Sequence, residues 1–303
     1  MMHRFQHTAM ATQFEIRCTY PDGGYARQAA RAAFDAVDRL EQQLSRFVEN
    51  SDITRINHLS PGGSTIVSYE TMQCLQLASL IYAETGGAFD ISLGTGFETL
   101  ELVPAEFVVR ASLTSPGLTQ LDLGAIGKGY AVDRAADVLE DWEIEQVLID
   151  AGSSSVLALE PPAGAEDWPL TISDPGDTGL ILAGIGARQR ALGASGIRKG
   201  DHILDPRNRA PVRSRSAAWV SAPRSVLAAI GRQVGVEDSA ASVADALSTA
   251  VMISPAEEIG ACCQRYAGLE AWILEGSLTH FPAFSRRTES SHRVISAPAN
   301  QRA

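Results

Sequence analysis

The sequence predicts a mixed fold of helices and strands, with long helices concentrated early and strands later. Three observations carry this. From Tyr25 to Phe47 the apolar residues Ala29, Ala30, Ala33, Phe34, Val37, Leu40 and Leu44 recur at helical spacing, the clearest amphipathic helix in the chain. Beyond Gly152 the pattern changes to short apolar runs at 155–159, 168–173, 180–185 and 191–194, with DPGDTG as a strong hairpin turn between two of them. Between these regions, Gln120 to Gly152 reads as a short strand (Leu121 to Leu123), a glycine loop, a helix and a second strand (Gln146 to Asp150).

The remaining elements follow in order. Phe5 to Cys18 contains alternation (Gln13, Phe14, Glu15, Ile16) that fits a half-buried strand, ended by a turn at 21–24. After the long helix, Ser51 or Asp52 caps a short helix holding Ile53 and Ile56 and ending near Asn57. A loop at 61–63 leads to a second long helix, Ser68 to Thr85, stopped by Gly86-Gly87. TGGAFDISLG is short and glycine-flanked, with one acid, Asp90. SGIRKGDHILDPRNRAPV forms a loop carrying His202 and Asp205. A strand is expected at 217–222, helices at 228–234, 239–253 and 257–266, and a last strand at 271–274. Residues 1–285 read as a single domain, and from Arg286 the chain is an apolar-poor tail expected to fray.

With 303 residues the chain can bury a sizeable core, and 45% hydrophobic with 20% charged residues is ordinary for a globular protein. Its net charge of −11 argues against nucleic acid or an anionic membrane as partner. Cys18, Cys74, Cys262 and Cys263 have no zinc spacing and read as thiols in a reducing compartment. The N-terminal residues lack a secretory pattern, and no later run reaches membrane-spanning length, so a cytoplasmic location is expected.

Two stretches carry candidate chemistry. The glycines at 124, 127 and 129 allow tight turns or close approach, and Lys128 sits at the mouth of the following helix, a setting suited to a diphosphate. The order G-x-x-G-x-G matches neither a Walker A loop nor a dinucleotide fingerprint, and alone it reads as a strand-to-helix connection with an exposed lysine. In VADALSTAVMI, Asp245 and Thr249 share a helix face with Ser248 alongside, oxygen donors that suit a hard cation such as Mg²⁺ or are simply polar residues with local hydrogen bonds. His202 sits in a loop as a base, a ligand or an exposed residue. Ser195-Gly196 lacks a nucleophile elbow and reads as a turn.

The order of these pieces is more specific than any one of them. MATQF (10–14), LSRFVENSDITRIN (44–57), TGGAFDIS (85–92), LDLGAIGKGYAVDRAADVL (121–139), ASG (194–196), HILDP (202–206) and ADALSTA (244–250) stand in the order found in the ApbE family of flavin transferases, which the sequence resembles over residues about 10 to 275. The resemblance implies an α+β, T-fold-related architecture of two lobes, with antiparallel sheets, flanking helices and an FAD cleft between the lobes. It implies Mg²⁺-dependent cleavage of FAD at the diphosphate. FMN would pass to a threonine of an acceptor flavoprotein as a phosphoester, with release of AMP. Metal ligands map to Asp245, Thr249 and the carbonyl of Ala125. FAD contacts map to Met10, Phe47, Ala88, Phe89, Asp90, Asp122, Lys128 and Ile203. His202, Asp245 and Lys128 are the implied catalytic residues, His202 as the base near the acceptor hydroxyl.

Several positions depart from the family pattern. Ser248 stands where some members carry a third oxygen ligand, an Asp, and Ala11 replaces a glycine. Gly152-Ser153 replaces a common Gly-Gly, the segment before His202 is shortened to IRKGD, and 223–243 is longer than usual. Many members are exported lipoproteins, whereas this chain is expected to meet a cytoplasmic acceptor. FAD hydrolysis to FMN and AMP, and FAD binding without catalysis, are the alternatives.

Overall fold

The computed structural model describes residues 1–114, 119–152, 154–197 and 203–283. The tail expected from Arg286 lies outside these residues. The chain opens with β1 (Met2–Ala9) and β2 (Thr12–Thr19), so the strand expected over 5–18 is in fact a hairpin. Its two linking residues, Met10 and Ala11, have φ of 50° and 54°. That left-handed geometry closes a two-residue hairpin but suits Asn-Gly or Gly-Gly, and costs Ala11 about 1 kcal/mol. Ala11→Gly is expected to stabilise the protein by roughly 0.5–1 kcal/mol, read as a higher urea midpoint at unchanged slope. An unchanged or lower midpoint would contradict the strain.

α1 (Gly23–Leu44) starts where Asp22 Oδ1 accepts from the N–H groups of Gly24 (2.7 Å) and Tyr25 (3.2 Å), and its alanine-rich stripe is buried as the spacing predicts. Ser51 and Ser68 cap α2 (Asp52–Asn57) and α3 (Tyr69–Glu84) in the same way, at the N–H of Thr54 and Thr71; between these helices lies the short strand β3 (Ser64–Ile66). With β4 (Leu100–Val103) and β5 (Val108–Ala111), β3 forms a small antiparallel sheet of order β3-β5-β4. Strands this short carry too few residues to display a period of two, so the sequence does not announce them.

The strand expected at 121–123 does not form. Leu121 exchanges two hydrogen bonds with the Asn57 side chain (2.7 and 3.0 Å), and the Asp122 N–H goes to the Ile91 carbonyl (2.7 Å). The segment is tied down without joining a ladder. It leads into α4 (Gly127–Asp141), β6 (Val147–Ala151) and β7 (Ser155–Ala158). A hairpin of β8 (Trp168–Ser173) and β9 (Ile181–Ala187) follows, closed through DPGDTG. Then come β10 (Arg190–Gly196), the two-residue strands β11 (Leu204–Asp205) and β12 (Ala210–Pro211), and β13 (Ala217–Pro223). α5 (Arg224–Gly231) begins four residues before the expected helix at 228–234, whose end is a 3-10 turn. α6 (Ala240–Ile253), α7 (Ala256–Arg265), β14 (Glu270–Glu275) and β15 (Ser277–Phe281) complete the described chain.

Eight strands form one antiparallel sheet in the order β1-β2-β6-β7-β10-β13-β14-β15, which makes the architecture α+β. Its central strands are apolar on both faces. In β13, Ala218, Val220 and Ala222 face the helices, while Ala217 and Trp219 face the β8–β9 hairpin; in β14, Ala271 and Ile273 alternate likewise with Trp272 and Leu274. Trp168, Ile172, Ala183 and Ala187 of the hairpin cover that second face.

α6 is the helix the rest is packed around. It is apolar or small-sided on nearly every face, with all but Thr249 and Ile253 buried. Its last turn is gripped by Arg215, whose Nη1 donates to the carbonyls of Val251 (2.5 Å) and Ser254 (2.6 Å), which the helix itself leaves open. Cys18, Cys74 and Cys263 are buried free thiols and Cys262 is half-buried. Among the described residues no helix is long and apolar enough to cross a membrane.

Candidate active site

Neither α4 nor α6 is capped by its own flanking residue, and each supplies the other's cap. Asp133 of α4 accepts from the N–H of Ala241 (2.8 Å) and from the N–H and hydroxyl of Ser242 (2.8 and 2.7 Å) at the start of α6. In return Asp245 Oδ2 of α6 accepts from the Gly129 N–H in the first turn of α4 (3.1 Å). The helices touch backbone to backbone: a Cβ on Gly129 would lie 2.3 Å from the Ala241 carbonyl oxygen. On the opposite flank, a Cβ on Gly193 of β10 would lie 2.1 Å from the Ala244 oxygen. Asp245 is therefore held between α4 and β10 by two close approaches that only glycine permits.

At the mouth of α4, Lys128 Nζ donates to the Gly124 carbonyl (2.5 Å) and lies 3.9 Å from Asp245 Oδ2. The lysine is partly exposed, at 21% for its side chain, while the Asp245 side chain is 3% exposed. Burial pushes the Asp245 carboxyl above the usual carboxylate range, opposed by the Lys128 charge and the Gly129 N–H. Its Oδ1 has no hydrogen-bond partner among the described residues. Four residues on, Thr249 is half-buried on the same helix face. Ser195 of β10 bridges α6, with its hydroxyl 2.8 Å from Ser248 Oγ and 2.9 Å from Thr249 Oγ1.

The other residues expected at the site fall into three groups. Asp122 is adjacent: its Oδ1 accepts from the Gly124 N–H (2.8 Å) and its Oδ2 pairs with Arg46 (3.0 Å), whose guanidinium covers the ring of Phe47. Phe47 is 82% exposed, an apolar ring presented to solvent beside the glycine loop's aspartate. Met10 and Ser195 belong to one end of the large sheet, because Phe14, Ala151, Ser155 and Gly193 stand in a row across it and both residues lie beyond that row. Ala88, Phe89 and Ile203, by contrast, are core residues with almost no exposed side chain. What that segment can offer a ligand is backbone. The Asp90 carboxylate is spent on its own turn, taking the N–H and hydroxyl of Ser92 and the N–H of Gly94. Ala125 sits half-buried in the turn before α4. His202 lies outside the described residues.

A cavity of about 280 Å³ opens on the other face of α6, over Leu247, Ala250, Val251 and Ile259. No residue expected at the site lines it, so it is separate from the arrangement above.

The ApbE family pattern matches residues 10–273, with the glycine loop, Ser195 and the α6 oxygens all inside the match. The chain belongs to the ApbE family. Among curated ApbE relatives, a FAD:protein FMN transferase of Vibrio cholerae is 23% identical over 285 residues, covering 80% of this chain and 84% of that one. A FAD:protein FMN transferase of Treponema pallidum is 26% identical over 297 residues, covering 81% and 76%. The crystal structure of the ApbE protein of Thermotoga maritima superposes with a TM-score of 0.77 at 22% identity, over 93% of this chain and 97% of that one, so the α+β fold is the ApbE fold.

In this ApbE chain the donors fit a hard divalent ion better than a soft one. They are the carboxylate of buried Asp245, whose Oδ1 has no hydrogen-bond partner among the described residues, a hydroxyl one turn away and the Ala125 carbonyl in the turn before α4. No group of three or more His, Cys, Asp or Glu residues able to hold a metal occurs among the described residues. A site with one carboxylate leaves coordination positions for water and phosphate, as Mg²⁺ prefers. Asp133 and Ser195 are the site-forming residues that sequence spacing misses. One signal was present: Ile126 cannot cap a helix, so α4 had to find its cap elsewhere.

Proposed function

We propose that residues 1–285 act as one Mg²⁺-dependent FAD:protein FMN transferase domain, attaching FMN through a phosphoester to a threonine of an acceptor flavoprotein and releasing AMP. The observation that carries this reading is the meeting of Asp245, Lys128 and the start of α4, a buried carboxyl and a cation around one helix mouth. The names of the Vibrio cholerae and Treponema pallidum relatives supply the reaction.

The residues divide the work by charge. Lys128 is the one of the pair with exposed surface, and it attracts the diphosphate of FAD at the helix start. Asp245, an anion, would repel phosphate directly; with Thr249 and the Ala125 carbonyl it holds Mg²⁺ instead. The bound ion supplies charge neutralisation to the phosphoryl oxygens as the diphosphate breaks. The acceptor threonine oxygen forms the new bond to the FMN phosphorus, the bond to the bridging oxygen breaks, and AMP leaves with that oxygen. The threonine proton passes to a base, the role proposed for His202. Phe47 offers a ring for the isoalloxazine to stack upon, and Met10 stands at the sheet end that also carries Ser195.

Purified protein is incubated with FAD, Mg²⁺ and a threonine-bearing acceptor domain. Transfer predicts acceptor that stays fluorescent through denaturing electrophoresis, with one AMP released per label. AMP without labelling would make the protein an FAD pyrophosphatase, and bound FAD with neither product would make it a flavin-binding protein.

A further inference from the structure

The hydroxyls of Ser195, Ser248 and Thr249 form a chain whose proton order is fixed at one end. Ser248 Oγ donates to the backbone carbonyl of Asp245 (2.7 Å), which can only accept. A hydroxyl has one proton, so Ser195 must donate across its 2.8 Å contact with Ser248. Thr249 must then donate across its 2.9 Å contact with Ser195. The order is Thr249 to Ser195 to Ser248 to the Asp245 carbonyl. Ser248 is fully buried, so water does not compete for the fixed end.

We propose that Ser195 is a positioning residue for Thr249: it takes the Thr249 proton and so leaves the oxygen lone pairs free on the helix face that carries Asp245. This rests on the proposed metal role of Thr249. In a helix, a threonine with no such acceptor turns its proton to the carbonyl four residues back. For Thr249 that carbonyl belongs to Asp245, and Ser248 already occupies it. Ser195 thus keeps Thr249 from competing with Ser248 and points its oxygen outward from the helix. Ser248, which stands where some family members carry an acidic ligand, has its proton committed to the helix backbone, and its part is to set the direction of the chain.

Mn²⁺ serves as the probe, its binding followed by electron paramagnetic resonance on full-length protein with FAD present. Ser195→Ala is expected to weaken Mn²⁺ binding about tenfold, as loss of an orienting partner does at metal sites, with thermal unfolding unchanged. Ser195→Thr keeps the hydroxyl and is expected to restore wild-type affinity. Wild-type affinity in Ser195→Ala, or an equal loss in Ser195→Thr, would overturn the positioning role alone. Equal Mn²⁺ binding by wild type and Asp245→Asn would remove the ion site itself, and the role of Ser195 with it.

Discussion

Asp245→Asn is expected to reduce FMN transfer by at least about 100-fold while leaving the fold intact. The amide keeps an oxygen that can accept from the Gly129 N–H, so the contact between α4 and α6 survives. What disappears is the negative charge beside Lys128 at the place where a divalent ion would be anchored. Stability should not fall, because burial already disfavours the charged form of this carboxyl. The thermal midpoint is expected to stay the same or rise. AMP release measured beside a melting curve separates the two effects. Transfer within a few-fold of wild type would refute the role given to Asp245.

Gly129→Ala should act in the opposite manner, through structure first. Its Cβ would meet the Ala241 carbonyl at 2.3 Å, and the Ala241 carbon and Ser242 Cα at 2.6 Å. These are backbone atoms of a buried helix with no side chain to swing away. α4 and α6 must separate, and overpacking of this kind costs about 1–3 kcal/mol or more. Separation also pulls the Gly129 N–H from Asp245, so transfer should fall together with the urea midpoint. Gly184→Ala on β9 is the control, since a Cβ there meets nothing within 4 Å. A Gly129→Ala protein with wild-type stability would mean that the two helices are not locked as described.

How much of this was readable in advance follows from where each signal resides. The helix expected at 239–253 is observed at 240–253, and the one at 257–266 is observed at 256–265, because apolar periodicity is a local property. The turn at Met10-Ala11 was not legible, since neither residue type favours a positive φ and the hairpin is imposed by the pairing of β1 with β2 and of β2 with β6. Leu121 to Leu123 looked like a strand because its residues suit one; it failed because Asn57 and Ile91 take its backbone. At the site, Lys128, Asp245 and Thr249 could be named from short-range spacing together with family order. Asp133 could not, because its partners lie more than a hundred residues away, and Ser195-Gly196, which reads as a turn, is instead the end of β10, with the Ser195 partners more than fifty residues away. Phe89, which the resemblance places against FAD, has its ring in the core, so a contact from this position would be made by backbone.

The central claim is that a flavin diphosphate and a divalent ion meet between the first turn of α4 and the oxygen face of α6. Anomalous diffraction from a crystal grown with FAD and Mn²⁺ tests it most directly. The expected result is one metal peak roughly 2.0–2.3 Å from Asp245 Oδ1 and Thr249 Oγ1, with FAD phosphate oxygens completing its shell and Lys128 beside them. Ordered FAD with a metal peak elsewhere, or with its phosphates turned away from the α4 mouth, would contradict it.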